Sequence, residues 1–171
     1  MNEAWFGDSY DIVKRFFVDV VKANGYSVYA DPMFTGAWRS TEPFFKFLGV
    51  QDATDHAVPA RSALFVDPDI GIGNRRSARH TTIAVIVEKL DRHDMVFVFD
   101  QAFSRALPSR GQLRRKLQQI EEFGAHGFYY DSHARFLFCS RSIDRLRSIR
   151  KAVLRTGLPE RRVISLESAT A

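Results

Sequence analysis

Two short and continuous apolar runs constrain the fold of this chain more than any other feature of its sequence. They read Ala63-Leu64-Phe65-Val66 and Met95-Val96-Phe97-Val98-Phe99. Each has the length and the β-branched or aromatic content of a strand, and neither shows the polar alternation of a strand with one face in water. Strands buried on both faces are typical of parallel sheets covered by helices, so the two runs predict an α/β fold.

Segments that predict helices lie around and between these runs. Apolar pairs recur every four residues from Ile12 to Val21, Asp8 or Ser9 can cap the start of this helix, and Gly25 can end it. Residues 81–90 suit a strand or a helix, and we expect a helix because two parallel strands need a crossover between them. Helices are also predicted over residues 41–49, 109–123 and 142–154.

Further strands complete the expected sheet. Residues 26–30 and 162–166 have strand composition, and residues 128–130 and 136–138 have hairpin spacing around a turn that contains His133. Residues 51–61 are expected to form a loop. The alternation of elements predicts a single domain over residues 1–171, with a three-layer, Rossmann-like and mostly parallel sheet that has an antiparallel edge.

The composition limits the class of protein. The chain has 171 residues, 45% of them hydrophobic, which suits one core, and its single cysteine, Cys139, lies in an apolar run where we expect it to be buried. No stretch approaches the ~20 apolar residues of a membrane span, and the first residues lack the basic start of a signal peptide. We therefore expect a cytoplasmic protein with no membrane partner, while the sequence does not indicate its oligomeric state.

Charge is distributed unevenly along the chain. Residues 1–100 carry 11 basic and 14 acidic side chains, a net −3, whereas residues 101–171 carry 14 basic and 6 acidic ones, a net +8. This asymmetry predicts nucleic acid as a partner, because cations that neutralise phosphates release counterions; a solubilising surface is the alternative. The nucleic-acid-binding side chains expected on the last two helices are Arg114, Arg115, Lys116, Arg147, Lys151 and Arg155.

Three of the predicted strands end in an aspartate, at Asp31, Asp67 and Asp100. Ligands of open α/β sheets bind beyond the carboxyl ends of the strands, so we expect these side chains at one edge of the sheet, near a polar site. Asp67-Pro68-Asp69 is the centre of that expected site, since Pro68 holds two carboxylates in an extended geometry. Aspartates at strand ends also cap turns without any catalytic role, and that interpretation stays open.

Glycines and basic side chains follow this segment directly. Gly71-Ile72-Gly73 lets the backbone bend near a ligand, and residues 75–80 include three arginines and His80, which we expect at the head of the following helix. Acidic and basic groups so close in sequence indicate either a phosphate-and-metal site or a solvated loop with internal ion pairs worth ~1 kcal/mol or less each.

Three short segments carry a family resemblance: Gly7-Asp8-Ser9-Tyr10-Asp11-Ile12-Val13-Lys14, Val28-Tyr29-Ala30-Asp31-Pro32-Met33-Phe34-Thr35-Gly36, and Leu64-Phe65-Val66-Asp67-Pro68-Asp69. Their order resembles that of Rossmann-type bacterial ribosomal RNA adenine methyltransferases, which have Gly-Asn-x-x-Asp-x-x-Lys, a strand ending in Asp before a Gly-rich turn, and Asp-Pro-Pro-Tyr. An uncharacterised bacterial group with Gly-Asp-x-x-Asp and Asp-Pro-Asp-x-Gly is more similar still. It shares an aromatic strand before Asp-Gln and an Arg, here Phe99-Asp100-Gln101 and Arg105.

The resemblance implies S-adenosylmethionine as a cofactor, with Asp31 and Gly36 at its site. It also implies that Asp67, Pro68 and Asp69 form the acceptor site, where the Asp side chain and the Pro carbonyl hold a target amino group. Ile70 stands where those methyltransferases have the aromatic residue that stacks on the base. About thirty residues separate the first predicted strand from Asp67, which leaves little room for the strand whose acidic end usually holds the ribose.

Three functions are therefore open. The leading hypothesis is a methyltransferase-like Rossmann protein that acts on or binds nucleic acid, with a degenerate S-adenosylmethionine site. The second is a metal-dependent nuclease or phosphoesterase in which Asp67, Asp69 and either Asp31 or Asp100 bind Mg²⁺. The third is a module that binds nucleic acid or a protein without catalysis.

Overall fold

Five helices and nine strands occur in the residues that the computed structural model describes, which are 1–53, 60–104 and 108–166. The helices are α1 (Ser9–Ala23), α2 (Glu42–Leu48), α3 (Ile83–Lys89), α4 (Ser109–Glu122) and α5 (Ile143–Arg155). The strands are β1 (Ser27–Asp31), β2 (Gln51–Asp52), β3 (Ser62–Val66), β4 (Gly71–Ile72), β5 (His80–Thr81), β6 (Met95–Phe99), β7 (His126–Tyr130), β8 (Phe136–Ser140) and β9 (Val163–Ser165). Single 3₁₀ turns cover Glu3–Trp5 and Glu160–Arg162.

Seven of the strands form one mixed sheet in the order β2-β1-β3-β6-β8-β7-β9. The first four are parallel to one another. Strand β8 is antiparallel to both β6 and β7, and β9 is antiparallel to β7. The expected α/β class, with a parallel part and an antiparallel edge, is therefore confirmed. Strands β4 and β5 form a separate parallel pair in the connection after β3.

Helices cover both faces of the sheet, which gives three layers. Helices α1, α2 and α5 pack on the face that carries Phe65 and Phe97, and helices α3 and α4 pack on the face that carries Leu64 and Val96. The connections from β1 to β2 and from β3 to β6 run in opposite directions across the sheet. Right-handed crossovers then place their helices, α2 and α3, on opposite faces.

Capping groups fix the ends of the helices largely as the sequence predicts. The Asp8 carboxylate accepts hydrogen bonds from the backbone N–H groups of Tyr10 (2.8 Å) and Asp11 (3.2 Å) at the start of α1. The Ser142 hydroxyl accepts from a backbone N–H in the first turn of α5. Thr41 precedes α2 as expected but makes no side-chain capping bond.

Two short elements differ from the sequence-based expectation. Strand β2 lies in the segment expected to be a loop, because Gln51 and Asp52 pair in parallel with the backbone of β1. His80 belongs to β5 and pairs with Gly71, so it does not head the following helix, which begins after Thr82. Arg105, which belongs to the motif of the bacterial group, lies outside the described residues.

Cys139 is buried in β8, as its apolar neighbours predict, and burial raises the pKa of its thiol to about 12. Among the described residues, no helix combines the length and the apolar character that crossing a membrane requires.

Candidate functional site

The three strand-end aspartates lie at the same edge of the sheet, as the parallel strands predict. In the β1–β3 ladder Asp31 is opposite Val66, so that Asp67 follows one position later, and the Asp67 backbone N–H donates to the carbonyl of Asp31 at 3.0 Å. Asp100 comes directly after β6, which pairs in parallel with β3. The carboxyl ends of β1, β3 and β6 therefore meet at one edge.

The carboxylates nevertheless point to different faces of the sheet and form separate ion pairs. Asp67 binds Lys14 of α1 at 2.9 Å on one face. On the other face Asp31 binds Lys89 of α3 at 2.8 Å, and Asp100 binds Lys116 of α4 at 2.7 Å. These side chains thus share an edge but not one cluster, and the described residues contain no group of three His, Cys, Asp or Glu side chains that could hold a metal ion.

Asp67 belongs to a buried cluster of two carboxylates and one ammonium group. Its side chain is 1% exposed, and that of Lys14 is 3% exposed. The Lys14 Nζ atom also lies 2.8 Å from Oδ1 of Asp11, whose other oxygen accepts the backbone N–H of Gly7 at 2.7 Å. Helical spacing places Asp11 and Lys14 on one face of α1, and the capping turn at Asp8 directs that face toward the end of β3.

One cation between two carboxylates leaves this cluster short of positive charge. Burial alone would lower the pKa of Lys14, but Asp67 and Asp11 together raise it, so the lysine stays charged. Burial raises the pKa of Asp67, and Lys14 together with the Met1 ammonium group offsets that effect only in part. Oδ1 of Asp67 is buried and has no hydrogen-bond partner. Buried polar atoms are nearly always paired, so the unpaired Oδ1 atom sets Asp67 apart from Asp11 within this cluster.

A cleft of about 420 Å³ opens beside this cluster; we call it the Asp67 cleft. Its lining includes the expected site residues Asp67, Pro68 and Asp69, together with two aromatic side chains, Trp5 and Tyr10. Trp5 is 66% exposed, which is unusual for so large an apolar ring. Its role in the lining was missed from the sequence, because a lone tryptophan in a 3₁₀ turn has no periodic pattern.

The far wall of the Asp67 cleft is held by contacts between distant segments. The Tyr10 hydroxyl lies 2.6 Å from Nε2 of His133, and the two rings stack at 5.4 Å. The Nε atom of Arg79 donates to Asp69 at 2.6 Å, which ties the loop between β4 and β5 to the rim. His133 lies in the β7–β8 turn, as expected, and contacts the cleft wall through Tyr10.

Asp100 organises the loops at the edge and offers nothing to a ligand. Its side chain is fully buried and accepts four hydrogen bonds, from Lys116, the hydroxyl of Tyr129 and the backbone N–H groups of Ile72 and Ala102. Burial and the adjacent carboxylate raise the pKa of Tyr129 well above its usual value. All of its accepting positions are used, so Asp100 has a structural role.

A second cleft, of about 480 Å³, lies at the ends of β1 and β2; we call it the Asp31 cleft. It is lined by Asp31, Pro32, Met33, Phe34, Asp52, Ala53, Lys89 and Arg92. Asp52 ends the short strand β2. A second strand with an acidic end is therefore present, although the spacing in the sequence left little room for it. Gly36 does not line this cleft; it adopts a positive φ of 77° in the turn that follows.

The six expected nucleic-acid-binding side chains do not form one surface. Arg114 and Arg115 are exposed on α4, whereas Arg147, Lys151 and Arg155 are exposed on α5, which packs on the opposite face of the sheet. Lys116 is largely buried against Asp100 and lies 4.3 Å from the centre of the Phe103 ring. It is therefore not available to a phosphate. The other three, Arg147, Lys151 and Arg155, recur every four residues and form one stripe along α5.

Comparison of this chain with protein-family models, with curated proteins and with solved structures finds no match.

Proposed function

We propose that this chain is a methyltransferase-like Rossmann protein that binds a nucleoside cofactor in the Asp31 cleft and a base of a nucleic acid in the Asp67 cleft. The observation that carries the proposal is the pair of clefts at the ends of β1 and β3. The chain leaves β1 toward β2 on one side and continues through β3 and β6 on the other. This reversal of strand order is where ligands of open α/β sheets bind.

The antiparallel half of the sheet also supports the proposal. Strand β8 is inserted between β6 and β7, which run in the same direction as each other. This arrangement agrees with the Rossmann-like sheet with an antiparallel edge that the alternation of elements predicts.

The Asp31 cleft suits the nucleoside part of S-adenosylmethionine. Asp52 follows Asp31 by 21 residues and ends the second strand, where an acidic side chain of a Rossmann fold accepts the ribose hydroxyls. Met33 and Phe34 offer apolar surface to a base, and Asp31 offers a carboxylate to an ammonium group. When bound, S-adenosylmethionine would supply an electrophilic methyl group.

The Asp67 cleft suits a base that carries an exocyclic amino group. The free Oδ1 atom of Asp67 can accept an N–H from that amino group, and Pro68 lies beside it. The exposed ring of Trp5 supplies a stacking surface that the motif itself lacks at Ile70. Enzymes that modify bases take them out of the stack or use single strands, reading the Watson–Crick edge while aromatic rings cover the faces.

The metal-dependent alternative has less support from the side chains present. Asp31, Asp67 and Asp69 each contact a different basic side chain, and the Lys14 ammonium occupies the place between Asp67 and Asp11 where a cation would bind. The non-catalytic alternative uses the same clefts without methyl transfer, so it is separated from the proposal by an activity measurement.

Cofactor binding is tested first. S-adenosylmethionine at about 100 times its dissociation constant should stabilise the fold by about 2.7 kcal/mol, or roughly 5–10 °C in melting temperature. Asp52→Ala should abolish this shift, whereas Asp91→Ala, an exposed aspartate outside the cleft, should retain it. No shift with the unsubstituted chain at millimolar cofactor would contradict the proposal.

Transfer is tested next, with S-adenosylmethionine labelled in its methyl group and mixed single-stranded RNA and DNA. Label should enter the nucleic acid, and Asp67→Asn should abolish transfer while keeping the thermal shift. A normal cofactor shift without any incorporated label would favour the binding module.

A further inference from the structure

A third cleft adjoins the Asp31 cleft and is not needed for the function proposed above. It has a volume of about 300 Å³ and is lined by Ala53, Leu64, Arg76, Val85, Glu88, Lys89, Arg92 and His93; we call it the His93 cleft. Ala53, Lys89 and Arg92 line both clefts. The two clefts are therefore neighbours that share part of one wall.

Positive charge dominates the His93 cleft. Lys89 lies in the last turn of α3, where a cation is favoured by the helix dipole. Arg92 lies three residues beyond the helix, and Arg76 comes from the separate loop between β4 and β5. Neither Arg76 nor Arg92 forms an ion pair with a carboxylate of the described residues, and Lys89 is shared with Asp31. Glu88 is the one acidic residue in the lining. Helix stabilisation therefore accounts for Lys89 and leaves Arg76 and Arg92 unexplained.

A buried polar atom also lacks a partner in this cleft. His93 is 8% exposed, and its Nδ1 atom has no hydrogen-bond partner. Burial, with added repulsion from Arg92 and Lys89, lowers the pKa of His93 to about 4, so the ring is neutral at neutral pH. A neutral imidazole can donate from one nitrogen and accept at the other. His93 thus adds no charge to the lining, so the charge of the cleft comes from Arg76, Lys89, Arg92 and Glu88.

We propose that the His93 cleft binds the phosphate group of a mononucleotide whose nucleoside part lies in the Asp31 cleft. Arg76 and Arg92 hold the phosphate oxygens, and guanidinium groups suit phosphate geometry particularly well. The nucleoside placement rests on the function proposed above, whereas the phosphate subsite rests on the cleft itself. Because both ligands use the Asp31 cleft, the nucleotide competes with S-adenosylmethionine and so regulates access to it.

Titration calorimetry with adenosine and with its 5′- and 3′-monophosphates tests this subsite. At least one monophosphate should bind about tenfold more tightly than adenosine, as expected for charge-assisted hydrogen bonds to a phosphate. Arg76→Glu should remove that advantage and leave adenosine binding unchanged, because Arg76 lines only the His93 cleft. Arg92→Glu should also remove the advantage, but Arg92 lines both clefts, so adenosine binding is not its control. Arg75→Glu, an exposed neighbour outside the lining, is the matched control and should bind like the unsubstituted chain.

Equal affinity for adenosine and both monophosphates would overturn the subsite, and so would monophosphate binding that is insensitive to Arg76→Glu and Arg92→Glu. Binding of single-stranded oligonucleotides that needs these arginines, with no binding of a mononucleotide, would assign the cleft to nucleic acid and overturn the nucleotide proposal. A thermal shift with S-adenosylmethionine that no monophosphate can displace would overturn the competition and leave the proposed function intact. Monophosphate binding that depends on Arg76, together with no thermal shift from S-adenosylmethionine, would support the phosphate subsite and contradict the proposed function.

Discussion

Lys14 neutralises Asp67 only in part, because its ammonium group lies equally close to Asp11. With both carboxylates ionised, the buried cluster carries a net negative charge, which is costly in a medium of low dielectric constant. The backbone N–H of Gly7 supports Asp11, whereas Oδ1 of Asp67 has no donor. Asp67 is therefore the group at which a proton, or an N–H of a ligand, relieves the excess charge.

Asp67→Asn should flatten the pH dependence of stability. Burial raises the pKa of Asp67 in the folded state above its ordinary value, so the folded chain binds this proton more tightly than the unfolded chain. Stability therefore falls as the pH rises from about 4 through the raised pKa, by about 1.4 kcal/mol for each unit of the shift. The variant lacks this loss and should be at least as stable as the unsubstituted chain at pH 7.

Urea unfolding at pH 4.5 and pH 7 measures this difference. Asp19→Asn, at an exposed position on the same helix, should keep the original pH dependence. A variant at Asp67 that loses several kcal/mol at pH 7 would show that the ion pair with Lys14 outweighs the cost of burial.

Asp100→Asn and Asp31→Asn should differ sharply although both aspartates end a strand and bind a lysine. Asp100 is fully buried and accepts four hydrogen bonds, so an amide in its place leaves buried donors without an acceptor and should cost about 3–5 kcal/mol. Asp31 is 34% exposed, and its ion pair should be worth about 1 kcal/mol or less. Chemical denaturation of both variants checks this, and similar losses would mean that Asp100 is not the organiser of the edge.

Gly71→Ala should destabilise the edge more than Gly124→Ala. Both glycines have a positive φ, 132° and 71°, which costs an alanine of order 1 kcal/mol. A Cβ atom on Gly71 would also lie 2.7 Å from the backbone nitrogen of Gln101 and 2.8 Å from that of Ala102, whereas one on Gly124 meets open space. Comparison of unfolding midpoints should place Gly71→Ala at least 1–2 kcal/mol below the control, by the cost of overpacking. Equal losses of stability in the two variants would show that the backbone near Gln101 does not exclude a side chain at position 71.

The basic stripe on α5 should bind phosphate backbones without reading sequence. Each phosphate contact contributes about −0.7 to −0.9 to the slope of log affinity against log salt concentration. Exchanging both Arg147 and Lys151 for Glu should weaken binding to any nucleic acid and reduce the slope by roughly 1.4–1.8. The corresponding exchange of Arg114 and Arg115, on the opposite face of the sheet, is the matched control. A larger effect of the control exchange would show that the phosphate-binding surface lies on α4. If the unsubstituted chain does not bind nucleic acid at ~50 mM salt, neither helix forms such a surface.

The elements of the fold could be predicted from the sequence because their signals are local. The buried runs at residues 63–66 and 95–99, the cap at Ser142 and the hairpin spacing around His133 each lie within a few residues of the element they define. Strand β2 could not be predicted, since Gln51 and Asp52 have little strand propensity of their own. The hydrogen-bonding edge of β1 makes them a strand.

The faces of the strand-end aspartates could not be predicted because they depend on register. Alternate residues of a strand point to opposite faces of the sheet. Asp31 pairs with Val66 and shares its face, so the next residue, Asp67, points to the other face. The β3–β6 register likewise places the Asp100 side chain on the face opposite to that of Asp67. A shift of one residue in either ladder would have placed Asp67 on the same face as one of the other two aspartates. No local pattern in the sequence specifies the register between such distant segments.

The hairpin formed by β7 and β8 has a kinetic consequence. The most distant pair in its ladder joins positions 126 and 140 of the sequence. The β1–β3 ladder joins positions as distant as 27 and 62, and strand β2 lies between them in the sequence. Short loops close with a smaller entropic cost, and isolated hairpins form in about 1–10 μs. The antiparallel half can therefore fold first and present the open side of β8 to β6. We then expect the parallel strands β1 and β3, whose carboxyl ends carry both clefts, to pair last, on a sheet that the antiparallel strands have already begun.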